Sequence, residues 1–319
     1  MAAAGVLLCG LALLWPEPQE RRPFALAVGV WPGMETLTLA RERGELPEQD
    51  VNFIELSWTS ATMMAFENRA VGGAVVTLDE MLRLRAGGHA IKAVLVMGVS
   101  AGGDAIVARP DIKSLPDLRG KRVGVELRAC GEYFLTRALH GIGMTLGDVV
   151  VVPLNLSEAE NAYEQNEVDA IVCTDPVQTR LTEGGARVLF DSNQMQAALC
   201  RVLVVREDLL KKRQPVLADL ARAHFAALPA LRSGTEENGM DAVLRRERLS
   251  AAQFLEALDR ITQFSLDANV RMLSEGPGGL GPVLRELATF MEQTGLLETE
   301  PDVEGLLDPR LVKEVEDAL

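Results

Sequence analysis

Nothing in this chain stands at metal-ligand spacing. Its three histidines, His89, His140 and His224, are scattered, and its four cysteines, Cys9, Cys130, Cys173 and Cys200, form neither a CxxC pair nor a finger pattern. No metal or cofactor is therefore expected, and the internal cysteines read as small buried hydrophobes. A bridge between Cys173 and Cys200 stays open, because both fall near the ends of expected strands. Aromatic residues make up only 4% of the chain. A basic excess is missing too: the net charge of -14 would be repelled by phosphates, which excludes a nucleic-acid partner and favours solubility. The sequence also lacks an apolar run of comfortable membrane-spanning length.

The longest such run is "AAAGVLLCGLALLW", Ala2 to Trp15, followed by "PEPQERRP". It suits the core of a signal peptide, although a basic start is absent. "VLLCG" is similar to a bacterial lipoprotein box ending at Cys9, with Leu8 larger than such a box prefers. Residues 1–22 are thus expected to be a signal or anchor segment. Lipidation of Cys9, cleavage, retention as an anchor and an ordinary first helix all remain open.

After the leader, apolar runs at Phe24–Val30, Val51–Leu56, Ala74–Thr77 and Ala93–Val99 read as buried strands, with helical spacing between them. "DAIVAR", "KRVGVEL", "DVVVVPL", "DAIVC", "RVLFDS" and "CRVLVVRED" form a second strand set. Beyond Leu210 the pattern turns helical, as in "VLADLARAHFAALPALRS" and "GLGPVLRELATFMEQTGLL". Such alternation predicts an α/β protein with mainly parallel sheets covered on both faces. At 319 residues about two domains are expected. "VSAGGDAIV" and "ALCRVLVV" are candidate crossings between them. If both cross, one lobe comprises 23–103 plus 205–319 and the other 104–204, with an interdomain cleft and hinge closure. The other arrangement is two consecutive domains.

Four stretches carry a resemblance. "VGVWPGMETLTLARERGEL" (28–46), "SAGGDAIVARPDIKSLPDLRGKRVGVE" (100–126), "VDAIVCTDPVQTRL" (168–181) and "FMEQTGLLETEPDVEGLLD" (290–308) follow in the order seen in one family. The chain resembles the bacterial solute-binding proteins of ABC importers, in the nitrate, sulfonate, taurine and thiamine-precursor branch. That resemblance implies the two-lobed type II periplasmic-binding-protein fold with two hinge crossings. It also implies capture of a small organic ligand, delivery to an inner-membrane permease, a periplasmic location and no chemistry performed. The chain is expected to act as a monomer, with membrane association only through its N-terminal segment.

In open parallel sheets ligands bind beyond the carboxyl ends of the strands. Trp31-Pro32-Gly33 occupies that place after the first strand: Pro32 fixes the backbone, Gly33 allows close approach, and Trp31 offers a flat wall or caps the core. After the second strand, "SWTSAT" brings Trp58, Thr59 and Ser60 to a helix start, where a hydroxyl caps or binds. Thr77 is similarly placed, and Gly102 lies in the first crossing. In the second strand set, Arg128, Cys130, Tyr133, Asn155 and Asp175 sit at strand ends or helix starts. Arg128 pairs with an anion or with Glu126 or Glu132, and Asp175 before Pro176 is equally an N-cap.

Family members that bind sulfonate or nitrate surround the anion with helix N-termini, small hydroxyls and often a basic group. Here Glu132 and Cys130 depart from that pattern, and large apolar groups such as Met34, Met63 and Leu156 crowd the candidate rim. An organic sulfonate or carboxylate is the first expectation for the ligand, and a lipid- or sterol-like molecule the second. An enzyme on this fold is the third. It lacks the Cys-rich motif of the related pyrimidine synthase, and His140 lies ten residues beyond Cys130, about 15 Å along one helix.

Overall fold

A computed structural model describes residues 22–56, 58–195, 198–234 and 239–318. The leader expectation, Cys9 included, falls outside these residues apart from Arg22, as does Ser57. No helix among the described residues is long and apolar enough to cross a membrane.

Strands β1 (Phe24–Val28), β2 (Val51–Glu55), β3 (Gly73–Thr77) and β4 (Ile91–Ser100) alternate with α1 (Glu35–Glu42), α2 (Thr59–Glu67) and α3 (Leu78–Ala86). The second series is β5 (Asp104–Ala108), β6 (Arg122–Val125), α4 (Cys130–His140), β7 (Val150–Pro153), α5 (Leu156–Glu164), β8 (Ala170–Thr174), α6 (Val177–Glu183) and β9 (Arg187–Asp191). Then come β10 (Cys200–Arg206), α7 (Glu207–Leu210), α8 (Gln214–Ser233), α9 (Met240–Glu247), α10 (Ala251–Asp259), β11 (Ile261–Thr262), α11 (Leu266–Met272), α12 (Leu280–Gln293) and α13 (Arg310–Asp317).

These strands form two sheets. The larger has the order β11-β4-β10-β3-β1-β2 and the smaller β7-β6-β8-β5-β9. In the larger, β1 pairs parallel with β2 and β3, while β10 runs antiparallel to β3 and β4. In the smaller, β6 pairs parallel with β7 and β8, while β5 runs antiparallel to β8 and β9. The chain passes from the larger sheet to the smaller between Ser100 and Asp104, and returns between Asp191 and Cys200. Each receiving sheet takes its crossing strand, β5 or β10, against the direction of its crossover-built strands. This is a mixed α/β architecture of two sheets.

The central apolar runs become strands covered on both faces, whereas β2, expected as a buried run, is an edge strand with Val51 buried and Asn52 and Glu55 exposed. All five residues of β3, β5 and β8 are buried. One continuous cluster of buried side chains joins Leu26, Val76, Leu95 and Val204 of the larger sheet to Val123 and Phe134 of the smaller half. A bridge between Cys173 and Cys200 does not form: both thiols are free, one on β8 and the other on β10, in different sheets.

Helix starts have local causes. At α3 the Thr77 N–H donates to Glu80 Oε2 (2.9 Å). At α10 the Ser250 N–H donates to Gln253 Oε1 (2.9 Å), and Ser250 Oγ accepts from the Gln253 N–H (3.3 Å), a reciprocal cap.

Candidate functional site

Two adjoining cavities, of about 60 and 50 Å³, lie where the sheets face each other. Thr59, Cys130, Leu156, Thr174 and Arg201 line both. Trp31, Met34, Trp58, Thr77 and Glu80 complete the first, and Asp104, Val125, Glu126 and Leu154 the second. A wider groove of about 650 Å³ runs between α7, α8 and α13. It is bordered by surface groups such as Lys211, Lys212 and Glu314, whereas in the cleft buried polar groups converge from both sheets, as ligand sites require.

Trp31 forms the wall between strand and helix. Its backbone is extended (φ -165°), Pro32 opens the short 3-10 turn Pro32–Met34, and the side chain is 1% exposed. The indole folds over its own turn: a Cβ on Gly33 would stand 2.1 Å from a ring carbon, so glycine is required there. The Arg201 guanidinium lies 4.3 Å from the centre of the ring. Trp31 is thus both a cavity wall and a core side chain.

Arg201 projects from β10, opposite Thr77 of β3. Its two terminal nitrogens donate to Asp104 Oδ2 (3.1 Å) and Oδ1 (3.0 Å), a two-pronged pair that ties the larger sheet to the first residue of β5. Burial works against the charge, yet Asp104 holds the guanidinium above its ordinary pKa.

One N–H at each of two helix starts facing the cleft meets a carboxylate from the other side. The Ser60 N–H of α2 donates to Glu126 Oε1 (2.7 Å), and the Cys130 N–H of α4 donates to Glu80 Oε1 (2.9 Å). Each positive helix end therefore meets a carboxylate from across the cleft. Arg83 of α3 adds a bond to Glu132 of α4 (2.9 Å). Burial and the neighbouring Asp79 push the Glu80 carboxyl up to about 7. Burial, followed by Asp79, Asp104 and Glu80, pushes the Cys130 thiol well up, so it stays protonated.

Of the residues singled out in the sequence, Trp31, Trp58, Thr59, Thr77 and Cys130 line the cleft. Pro32, Gly33 and Ser60 build its wall and floor through the contacts just described. Five others are held elsewhere. Gly102 is at the first crossing (φ +105°), where its N–H donates to Ser192 Oγ (2.7 Å). Arg128 is exposed, and its N–H donates to Glu132 Oε2 (3.0 Å). Tyr133 packs edge-on against Phe290 (5.9 Å) beside a separate crevice. Asn155 caps α5, its N–H donating to Glu158 (3.2 Å). Asp175 is fully buried, accepting from Arg260 (2.9 and 3.1 Å) and from the Thr179 N–H (3.1 Å). None of the five is among the residues lining the two cavities. Arg201, Glu80, Asp104 and Glu126, in contrast, were not singled out. The one local signal was a charge beside an apolar strand run, as in "ALCRVLVV" and "DAIVAR".

Residues 48–232 match the family model described as NMT1/THI5 like. A curated Escherichia coli K12 relative, named for binding aliphatic sulfonates, is 23% identical over 282 residues, 86% of this chain and 83% of that protein. The alkanesulfonate-binding protein SsuA from Xanthomonas axonopodis pv. citri, solved bound to MOPS, superposes with a TM-score of 0.70 at 18% identity, covering 92% of this chain and 98% of that one. The desulfurization enzyme DSZB superposes with a TM-score of 0.64 at 15% identity, covering 93% and 99%. At these identities the solved structures establish the fold.

Proposed function

The chain belongs to the NMT1/THI5-like family, and from that premise we propose that it is an extracytoplasmic solute-binding protein serving an ABC-type importer. Two lobes, one built on the larger sheet and including all of β10 (Cys200–Arg206), the other on the smaller sheet from Asp104 to Asp191, close on a small organic solute and present it to an inner-membrane permease. The second crossing thus lies before residue 200 rather than at the expected 204/205 boundary. The observation that carries this reading is the cleft itself: one cavity system whose walls, polar groups and closing bonds come from both sheets.

The solute class follows from the walls and from relatives named for sulfonates: an organic sulfonate or carboxylate of modest size. Arg201 is its anchor, because a guanidinium carries five N–H groups and spends two on Asp104. Trp31, Met34, Trp58 and Leu56 cover the apolar body. A sterol or lipid finds less support, since charged and hydroxyl side chains (Glu80, Arg201, Thr59, Thr77, Asp104, Glu126) line the two cavities beside the apolar walls. Nucleophilic chemistry at Cys130 would need an activated thiol. Cys130 is buried, faces carboxylates that raise its thiol, and has no histidine among the cleft-lining residues. A periplasmic location goes with this reading and is supported by the relative named for binding aliphatic sulfonates, with residues 1–22 as export signal or anchor.

Thermal unfolding in the presence of alkanesulfonates and short carboxylates tests the proposal. A binding solute at a hundredfold its Kd adds about 2.7 kcal/mol of stability. A saturable rise in Tm, lost in Thr59→Val and Trp58→Ala, is expected. A rise that survives both changes would place the ligand elsewhere.

A further inference from the structure

The charged side chains lining the two cavities do not balance. Glu80, Asp104 and Glu126 face a single guanidinium, Arg201. Asp104 already claims that guanidinium with both carboxylate oxygens. Two backbone donors at the facing helix starts are committed to carboxylates too: the Ser60 N–H to Glu126 and the Cys130 N–H to Glu80. An anionic solute meets one partly spent cation and two carboxylates aimed from opposite sides. Buried charge without a counter-charge is costly, and the cleft as it stands lacks positive charge rather than negative. Burial and Asp79 already hold Glu80 well above the ordinary carboxylate range, a further sign of crowded negative charge.

Resting on the solute-binding reading above, we infer that the ligand of this cleft carries a positively charged nitrogen, received by Glu80 and Glu126. The substrate class is therefore organic solutes bearing an ammonium, amidinium or guanidinium group, whether or not they also carry an acid for Arg201. Each carboxylate oxygen has two acceptor positions, so both residues can keep their bonds to Cys130 and Ser60 while accepting from the ligand. The nitrogen then sits between the lobes and strengthens closure from both sides. The indole and aliphatic walls at Trp31, Trp58, Leu56 and Leu156 take the remaining carbon body.

Matched probes test this by isothermal titration calorimetry. 2-Aminoethanesulfonate and 2-hydroxyethanesulfonate share size and acidic head and differ in the ammonium. A hydrogen bond to a charged group contributes about 1.5–3 kcal/mol, so the aminated probe is expected to bind at least about tenfold more tightly. Glu126→Gln and Glu80→Gln preserve size and an acceptor, and Gln also serves at the third position of a capping box. Each change is expected to reduce the preference below about threefold, the ratio of the two probes' affinities being compared within each variant so that any effect on closure common to both cancels. Equal or tighter binding of the hydroxyl probe by the unaltered protein would overturn the inference and leave the solute-binding reading intact. If neither probe binds at millimolar concentration, butylammonium decides. Its binding upholds the nitrogen and overturns the acid-headed solute, and its failure to bind overturns both.

Discussion

At the residue scale, Trp31 shows how one side chain serves stability and recognition together. It is 1% exposed, lies against Arg201, and depends on the missing Cβ of Gly33. Trp31→Ala is therefore expected to lower stability by about 3–5 kcal/mol, measured by denaturant unfolding, as well as abolish solute binding. Trp31→Phe should keep a wall and lose less. The aromatic-Pro-Gly turn and the hydroxyls at Thr59 and Thr77 were legible because each combines a strand end with residues suited to a turn or helix start. Arg201, Glu80, Asp104 and Glu126 were not, because their meaning depends on pairings between distant segments. Protonation also acts at single residues. Burial pushes His224, whose Nδ1 lies 2.8 Å from Thr36 Oγ1, down to about 3 from 6.5. A depressed pKa contributes stability that is present above 6.5 and lost as pH falls towards 3. Glu80, raised from 4.5 to about 7, runs the other way: its contribution is present below 4.5 and lost as pH rises through 7. Thermal unfolding across pH should show a shallower acid loss in His224→Gln and a shallower decline between pH 4.5 and 7 in Glu80→Gln.

At the scale of elements, the alternation was read directly, because short β-branched apolar runs bounded by turn residues differ in length from the segments with helical spacing between them. The helical character after Leu210 was equally plain. What escaped was which strands meet and where the cleft's charge comes from. β10 forms alongside β3 and β4 with an arginine beside Cys200, and that arginine is tolerated because Asp104 at the head of β5 faces it. Removing one member of such a buried pair leaves the other uncompensated. Arg201→Met is expected to cost about 3–5 kcal/mol by denaturant unfolding, with Arg201→Met combined with Asp104→Asn costing less than Arg201→Met alone. The Ser250–Gln253 cap of α10 gives a smaller check: Ser250→Ala should lower stability by about 1 kcal/mol.

At the scale of the whole molecule, the two sheets are joined near the crossings, where Ser100 Oγ and Ser192 Oγ lie 2.8 Å apart, and across the cleft by pairs between distant helices. Arg83–Glu132, Arg137–Glu286 and Arg260–Asp175 each link the half built on the larger sheet to that built on the smaller. Polar links of this kind can break and re-form in hinge motion, while the buried apolar cluster shared by both halves holds them together. Cavities of about 60 and 50 Å³ describe the lobes drawn together, and admitting a solute requires them to part. The measurement that bears most directly on capture between lobes is the distance between spin labels at Met64→Cys on α2 and Val150→Cys on β7, both exposed positions, by pulsed electron resonance. The native thiols among the described residues, Cys130, Cys173 and Cys200, are buried, and with Cys9 replaced by Ser labelling is favoured at the new sites. With a solute shown by calorimetry to bind, the account predicts that the distance distribution shortens and narrows. A bound solute that leaves the distribution unchanged would contradict it.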